Sequence, residues 1–358
     1  MWLTCSSIGR KFVMAITGAC LVLFVTFHVL MNSVALLWPD AYNTICMLLG
    51  ANWYALVASM GLAALFIIHI IYAIWLTIQN RKARGTDRYE VEARPKQVEW
   101  SSKNMLVLGF VVIAFLAVHL MQFWYKMQFQ ELIGSHATYE GAAAAPEFGT
   151  IFLQAAFSEI WTPIVYIIGF VALWFHMNHG FWSMFHTVGW DNNIWISRLK
   201  TISCWWTSIV VLLFVAQAVV FTIQAKNNYF ITNPALQEQY AEYWSERAET
   251  AITGFQEKLQ ATQAKLVNTP GMDQYRMQQE MHKVIEQYGL PLYNELKTVN
   301  AAAEVFCPDA ENTALIQAKN WEENLALELG IENENAPAMY QDNAPEIAVE
   351  EAANDTIQ

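Results

Sequence analysis

Five long apolar stretches dominate the first two thirds of the chain, at about 12–37, 53–78, 104–127, 158–185 and 202–223. At ~1.5 Å per residue, each is long enough to cross ~30 Å of hydrocarbon as a helix. Trp38-Pro39-Asp40 closes the first, and Pro163 sits in the first turn of the fourth, where proline is tolerated. Beyond 224 the pattern changes. Thr232-Asn233-Pro234 reads as a helix start, and Leu236, Tyr240, Tyr243, Ile252, Phe255, Leu259 and Leu266 follow a helical stripe. Thr269-Pro270-Gly271 breaks it, and shorter helical patterns run to about Leu329, interrupted by Gly289-Leu290-Pro291 and Cys307-Pro308. The fold class expected is all-α: a five-helix transmembrane bundle over 1–224, a helical extramembrane extension over 225–330, and an acidic tail over 331–358 that reads as disordered.

Composition sharpens this division. Of 358 residues, 55% are hydrophobic, which places membrane first among the classes to test. Residues 1–224 carry 12 Lys and Arg against 10 Asp and Glu, whereas 225–358 carry 8 against 22. No basic face exists to neutralise phosphates, so nucleic-acid binding is excluded. Arg10 and Lys11, the basic segment 79–103, and Arg198 with Lys200 all fall on one side of a five-span topology. The opposite loops contain one basic residue, Lys126. The positive-inside rule then puts the N-terminus inside and the acidic extension outside. The five cysteines show no CxxC pair, no CxxCH and no iron–sulfur spacing, so any haem is held non-covalently.

The candidate chemistry lies in the histidines. An ionisable residue inside a membrane span is costly and marks a site. His28 lies 16 residues above Phe12, and His119 lies 15 above Asn104, both on rising helices and near the outer side. His69 lies 16 residues below Trp53, and His176 lies 15 below Trp161, both on descending helices and near the inner side. The four sort into two pairs, His28 with His119 and His69 with His176, at levels ~15 Å apart. Bis-histidine ligation suits electron transfer because it leaves no open position on a haem iron. A histidine that merely hydrogen-bonds a neighbouring helix competes with this for any single position. A proton relay competes for the set, but the spans hold no acid at mid-depth to serve it. His179 shares a face with His176, and depth alone does not choose between them. Gly18 and Gly109 each lie ten residues before a histidine of the outer pair. That places both at the level of the inner pair, where a missing side chain leaves room for a macrocycle.

The membrane portion resembles the di-haem cytochrome b anchor subunit of succinate:quinone oxidoreductases, the succinate dehydrogenases and quinol:fumarate reductases. The likeness covers about residues 8–224. It rests on His28 followed by Asn32, His69-Ile70-Ile71-Tyr72, Val118-His119, and Ser158-Glu159 before Trp161 and Pro163. It continues with His176, Gly180, Trp182-Ser183 and Gly189-Trp190. The resemblance implies His28, His69, His119 and His176 as axial ligands of two b haems. It prefers His176 to His179 because the fourth ligand lies four residues before one glycine and thirteen before another. It further implies a flavoprotein (FAD) subunit and an iron–sulfur subunit on the inside face, a quinone such as menaquinone as redox partner, and a bacterial cytoplasmic (inner) membrane. Dicarboxylate chemistry then lies in a partner, and no catalytic residue is assigned to this chain. Arg10, Lys11, Arg198 and Lys200 are candidates to meet propionates, and the segment 79–103 to meet the iron–sulfur subunit. The chain departs from the family where some fumarate reductases carry glutamates. Trp174 stands at the first position, and no acid is obvious in 50–52 for the second. Competing readings are the cytochrome b subunit of another respiratory complex (formate dehydrogenase, nitrate reductase or hydrogenase type) and a haem-free transporter.

Overall fold

A computed structural model describes residues 6–50, 52–84, 100–190, 192 and 194–331. The middle of the basic segment (85–99) and the acidic tail from 332 lie outside the described residues. In chain order the elements are α1 (Ser7–Leu37), α2 (Pro39–Leu48), α3 (Trp53–Arg84), α4 (Trp100–Gln122), α5 (Gln128–Leu132), β1 (Ala137–Tyr139), β2 (Ala142–Ala144), α6 (Gly149–Phe157), α7 (Trp161–Thr187), α8 (Trp195–Lys226), α9 (Tyr229–Thr232), α10 (Pro234–Val267), α11 (Gln274–Phe306) and α12 (Thr313–Glu328). The chain divides into two compact units, Met1–Leu236 and Gln237–Gln358.

The first unit is built on five helices long and apolar enough to cross a membrane: α1, α3, α4, α7 and α8. Their outward faces carry Leu23, Val57, Met60, Val107, Phe110, Ile168 and Leu212, all exposed. Each such side chain left in water forgoes about 1.5–3 kcal/mol of burial, so a belt of them requires lipid. The chain is a multi-pass membrane protein. Tryptophans mark both rims, with Trp38, Trp53, Trp124 and Trp161 at one end and Trp100, Trp190 and Trp195 at the other, where amphipathic rings settle at headgroup level. The end holding Leu37 is called upper below, and the end holding Ser7 lower.

α7 packs against α1, α4 and α8, and α1 packs against α3 and α8. Side-chain hydrogen bonds fix the register. Gln217 Nε2 on α8 donates to Val29 O and to Ser33 Oγ on α1, both at 2.9 Å. Trp174 Nε1 on α7 donates to Ser208 Oγ on α8 at 3.0 Å. Inside a bilayer no water competes for these groups, so each polar side chain must find such a partner.

Helix ends differ from the hydrophobic boundaries. α1 starts at Ser7 because the Ser6 hydroxyl accepts from Gly9 N at 2.9 Å, a side-chain cap that hydrophobicity does not register. α8 starts at Trp195 and runs through Arg198 and Lys200, since long cationic side chains can stay helical while their heads reach the interface. The third helix closes at Gln122, short of the expected 127, and the chain turns before α5. The connection 128–157 carries Glu131, Glu140 and Glu147 and an Ala-rich stretch, with no apolar run long enough to span. It holds α5, a two-stranded antiparallel hairpin and α6. This hairpin is the departure from an all-α fold among the described residues. Its loop is Glu140-Gly141, both with positive φ (50° and 84°), the geometry that suits a two-residue hairpin turn. α6 is nearly all buried, and Gln154 Nε2 ties it to Ala225 O at 2.8 Å, at the upper end of α8.

The second unit contains most of α10, with α11 and α12. Asn233 Oδ1 caps α10 by accepting from Ala235 N at 3.0 Å, and Asp273 caps α11. Tyr240, Trp244, Ala248, Ile252 and Phe255 form the buried stripe of α10. Tyr240 meets Phe306 at 5.9 Å between ring centroids, and Phe255 meets Trp321 at 6.1 Å. The interruption expected at Gly289-Leu290-Pro291 is absent, because α11 continues through Pro291. An internal proline forfeits one helix hydrogen bond. Burial of Leu292, Leu296, Val299 and Phe306 on the following turns offsets that loss.

Candidate functional site

The four spans that carry the expected ligands meet in two places. On α1 and α4, the rings of His28 and His119 stand 5.8 Å apart, with planes at 87°. On α3 and α7, the rings of His69 and His176 stand 6.3 Å apart, with planes at 64°. A β-carbon built on Gly18 would lie 3.6 Å from His69 Cε1, and one on Gly109 would lie 3.7 Å from His176 Cε1. Both glycines therefore face the lower pair. Gly18 precedes His28 by ten residues on α1, which sets the two pairs ~15 Å apart along that helix.

Hydrogen bonds decide which ring nitrogen is bare. The Thr17 hydroxyl donates to Val13 O (2.9 Å) or Met14 O (3.1 Å), so at 3.1 Å from His69 Nδ1 it accepts. The Tyr166 hydroxyl donates to Gln122 Oε1 at 2.9 Å, so at 3.2 Å from His119 Nδ1 it too accepts. With the hydroxyl protons committed to those acceptors, each imidazole gives its Nδ1 proton to the hydroxyl and keeps the lone pair at Nε2. At His28 the Asn32 amide nitrogen, anchored to His28 O at 2.8 Å, donates to Nε2 at 3.2 Å. That nitrogen is again the lone-pair side, though it is engaged by Asn32. His176 Nδ1 is buried without a hydrogen-bond partner among the described residues. A ligand histidine held by its other nitrogen is the usual arrangement around a metal.

The spacing suits a shared iron. A nitrogen–metal bond is ~2.0 Å and an imidazole centroid lies ~1.1 Å behind its nitrogen, so two rings holding one metal would stand ~6.2 Å apart. The two pairs are at 5.8 and 6.3 Å. Among the described residues, no three His, Cys, Asp or Glu gather to hold a metal ion by themselves. A haem brings four nitrogens of its own and would need only two imidazoles from the protein. The residues present fit two haems, with His28 and His119 at one and His69 and His176 at the other. His176, not His179, is the ring facing His69, while the His179 ring lies 4.9 Å from Trp182.

Other expected residues fall as follows. The Arg10 guanidinium lies over Trp75 at 5.2 Å, Lys200 Nζ over Trp182 at 4.4 Å, and Arg198 over Trp195 at 5.2 Å. Lys11 is exposed.

Several neighbours of the pairs carry no sequence motif. Phe24 stacks on His28 (5.4 Å, 22°), and Phe214 from the fifth span approaches the same ring at 6.2 Å. Phe115 and Phe123 flank His119 at 6.0 and 5.2 Å. The signal that could have found three of them is an aromatic residue four positions from a histidine, one helical turn away. Thr17 and Phe214 have no such signal. Beyond the upper pair, Tyr42 donates to Asn32 Oδ1 at 3.0 Å. Burial raises the Tyr42 pKa and keeps it a phenol, and burial pushes the Cys46 thiol beside it up to about 12. The Glu131 side chain lies where a β-carbon on Gly50 would stand, with Oε2 2.5 Å from that position. An acid thus reaches the 50–52 region from α5, although none is present there in sequence.

Compared with family models, curated proteins and solved structures, the chain matches none of them.

Proposed function

We propose that this chain is the membrane-anchor, electron-transfer subunit of a succinate:quinone oxidoreductase, a succinate dehydrogenase or quinol:fumarate reductase. The observation that carries the reading is the meeting of four histidines from four spans as two facing pairs, at two depths. When bound, haem supplies a one-electron couple at each pair. His69 and His176 would hold the lower haem, with Gly18 and Gly109 leaving room beside it. His28 and His119 would hold the upper one, with Asn32 exchanging its bond to His28 Nε2 for one elsewhere. Thr17 and Tyr166 fix ring orientation by accepting the Nδ1 protons of His69 and His119.

In this reading the lower end faces the cytoplasm of a bacterial cell. Basic residues there favour that orientation. An iron–sulfur subunit and an FAD flavoprotein dock at the lower end, and the flavoprotein interconverts succinate and fumarate. A quinone such as menaquinone exchanges electrons near the upper end, and the acidic second unit lies outside. The spacing of ~15 Å between the pairs supports a path for single electrons across the membrane.

The test is the reduced-minus-oxidised spectrum and the haem-to-protein ratio of the purified chain, with His28, His69, His119 and His176 each changed to alanine. The expected result is two b haems per chain, with loss on each change. Retention in His176→Ala with loss in His179→Ala would move the fourth ligand. A chain without haem would sink the reading. Co-purification of a molybdenum or nickel subunit in place of a flavoprotein would overturn the choice of complex.

A further inference from the structure

At the lower ends of α7 and α8, Phe185, Trp190, Trp195 and Leu199 line a groove of about 400 Å³. Trp190 and Trp195 remain 72% and 47% exposed, so the aromatic walls are open to the surroundings. One cation stands against these walls and a second stands near them, over a tryptophan outside the groove lining. The Arg198 guanidinium lies over the Trp195 ring, and Lys200 Nζ lies over Trp182. Both come from the first two turns of a membrane-spanning helix, where a cation must send its head toward the phosphate layer.

We infer that this groove is a binding site for an anionic phospholipid of the lower leaflet, with an acyl chain against the tryptophans and the headgroup phosphate at Arg198 and Lys200. An apolar trough edged by positive charge, at the depth where hydrocarbon gives way to headgroups, complements a lipid that is apolar along its length and negative at its end. A dicarboxylate would leave the tryptophan walls unused. No residue of either histidine pair takes part, and the phosphate role replaces the propionate contact that the resemblance offers Arg198 and Lys200.

Lipid preference can be read from tryptophan fluorescence of the full chain in vesicles that contain brominated phosphatidylglycerol or brominated phosphatidylcholine. A basic residue near the surface strengthens binding of anionic lipid about fivefold. The intact protein should prefer the brominated phosphatidylglycerol by about fivefold or more. Arg198→Gln with Lys200→Gln should bring that ratio close to one, and Arg198→Lys with native Lys200 should keep most of it. Equal quenching by both lipids in the intact protein would overturn the inference, as would an unchanged preference in the double glutamine variant. A second measurement covers a variant that folds poorly. In Trp190→Phe with Trp195→Phe, both cations intact, the headgroup-selective part of the quenching should fall. Its full persistence would place the lipid elsewhere and refute the site. Each preference is a ratio between the two lipids for one preparation at one haem content, so quenching by haem cancels.

Discussion

Around His28 and His119 the bundle is crowded. Phe24, Phe115, Phe123 and Phe214 pack on the two rings. The Asn32–Tyr42 and Tyr166–Gln122–Thr162 hydrogen bonds tie the pair to the upper connections. Around His69 and His176 the surroundings are sparse. Two glycines face the rings, Thr17 holds one nitrogen, and the buried Nδ1 of His176 has no hydrogen-bond partner among the described residues. The same residue type is thus held by aromatic packing and a polar network at one level and against two glycines with fewer polar partners at the other. Ligand orientation should be stiffer in the upper pair, and the lower pair should depend more on room.

The sharpest way to break this comparison is to fill the room. Gly18→Leu or Gly109→Leu should reduce haem from two per chain to about one, with the upper spectrum kept. Gly→Ala at either place should retain both, because a β-carbon there meets only ordinary contacts at 3.6–3.7 Å. Loss of both haems in the leucine variants would show that the levels are not independent.

The next effect is at Tyr166. Tyr166→Phe leaves the His119 Nδ1 proton without its acceptor, at a cost of about 1–3 kcal/mol for a buried donor. Second-partner losses of this kind weaken metal affinity about 10–100-fold. Titration of the haem-depleted chain with haem should show the upper site weakened and its midpoint potential moved, with the lower site unchanged. Thr17→Val should act in the same sense at the lower site but more weakly, because a ring with fewer aromatic neighbours can turn toward another acceptor. A larger effect from Thr17→Val than from Tyr166→Phe would reverse the proposed order of stiffness.

The smallest effect is spectroscopic. Perpendicular axial imidazoles keep the two iron orbitals that they overlap close in energy, whereas inclined planes split them. The upper pair, at 87°, should give the more anisotropic low-spin ferric electron paramagnetic resonance signal, and the lower pair, at 64°, the less anisotropic one. Comparing His119→Ala with His176→Ala assigns each signal. Two indistinguishable signals would remove the orientational part of the comparison.

Much of this was legible in the residues. The five spans follow from apolar runs of more than twenty residues, and the pairing of His28 with His119 and of His69 with His176 follows from counting along helices of alternating direction. The placement of Gly18 and Gly109 beside the lower pair follows from the same count. Helix rise is a constant of the backbone, so depth in a membrane helix is almost a property of sequence position. The count is weaker where the backbone has choices. The Glu140-Gly141 hairpin, α6 and the unbroken course of α11 through Pro291 all fall where local propensity is ambiguous and packing decides.

The choice between His176 and His179 marks the limit most clearly. Both lie on one face of α7 within one turn, and depth does not separate them. Rotation of α7 about its own axis does, and that is set by what it packs on: Trp174 bonded to Ser208, Asn178 bonded to Ser203, and Gly169 against Phe115. Likewise, Glu131 reaches Gly50 only because α5 folds back over the bundle, and Phe214 reaches His28 only because Gln217 registers α8 on α1. The sequence alone determined how many helices cross, how long they are, and at which depth each histidine lies, because these depend on hydrophobicity and a fixed rise per residue. Only the tertiary structure decided which nitrogen is bare, which ring is faced and which side chains crowd it, because these depend on helix rotation and on contacts between residues far apart in the chain.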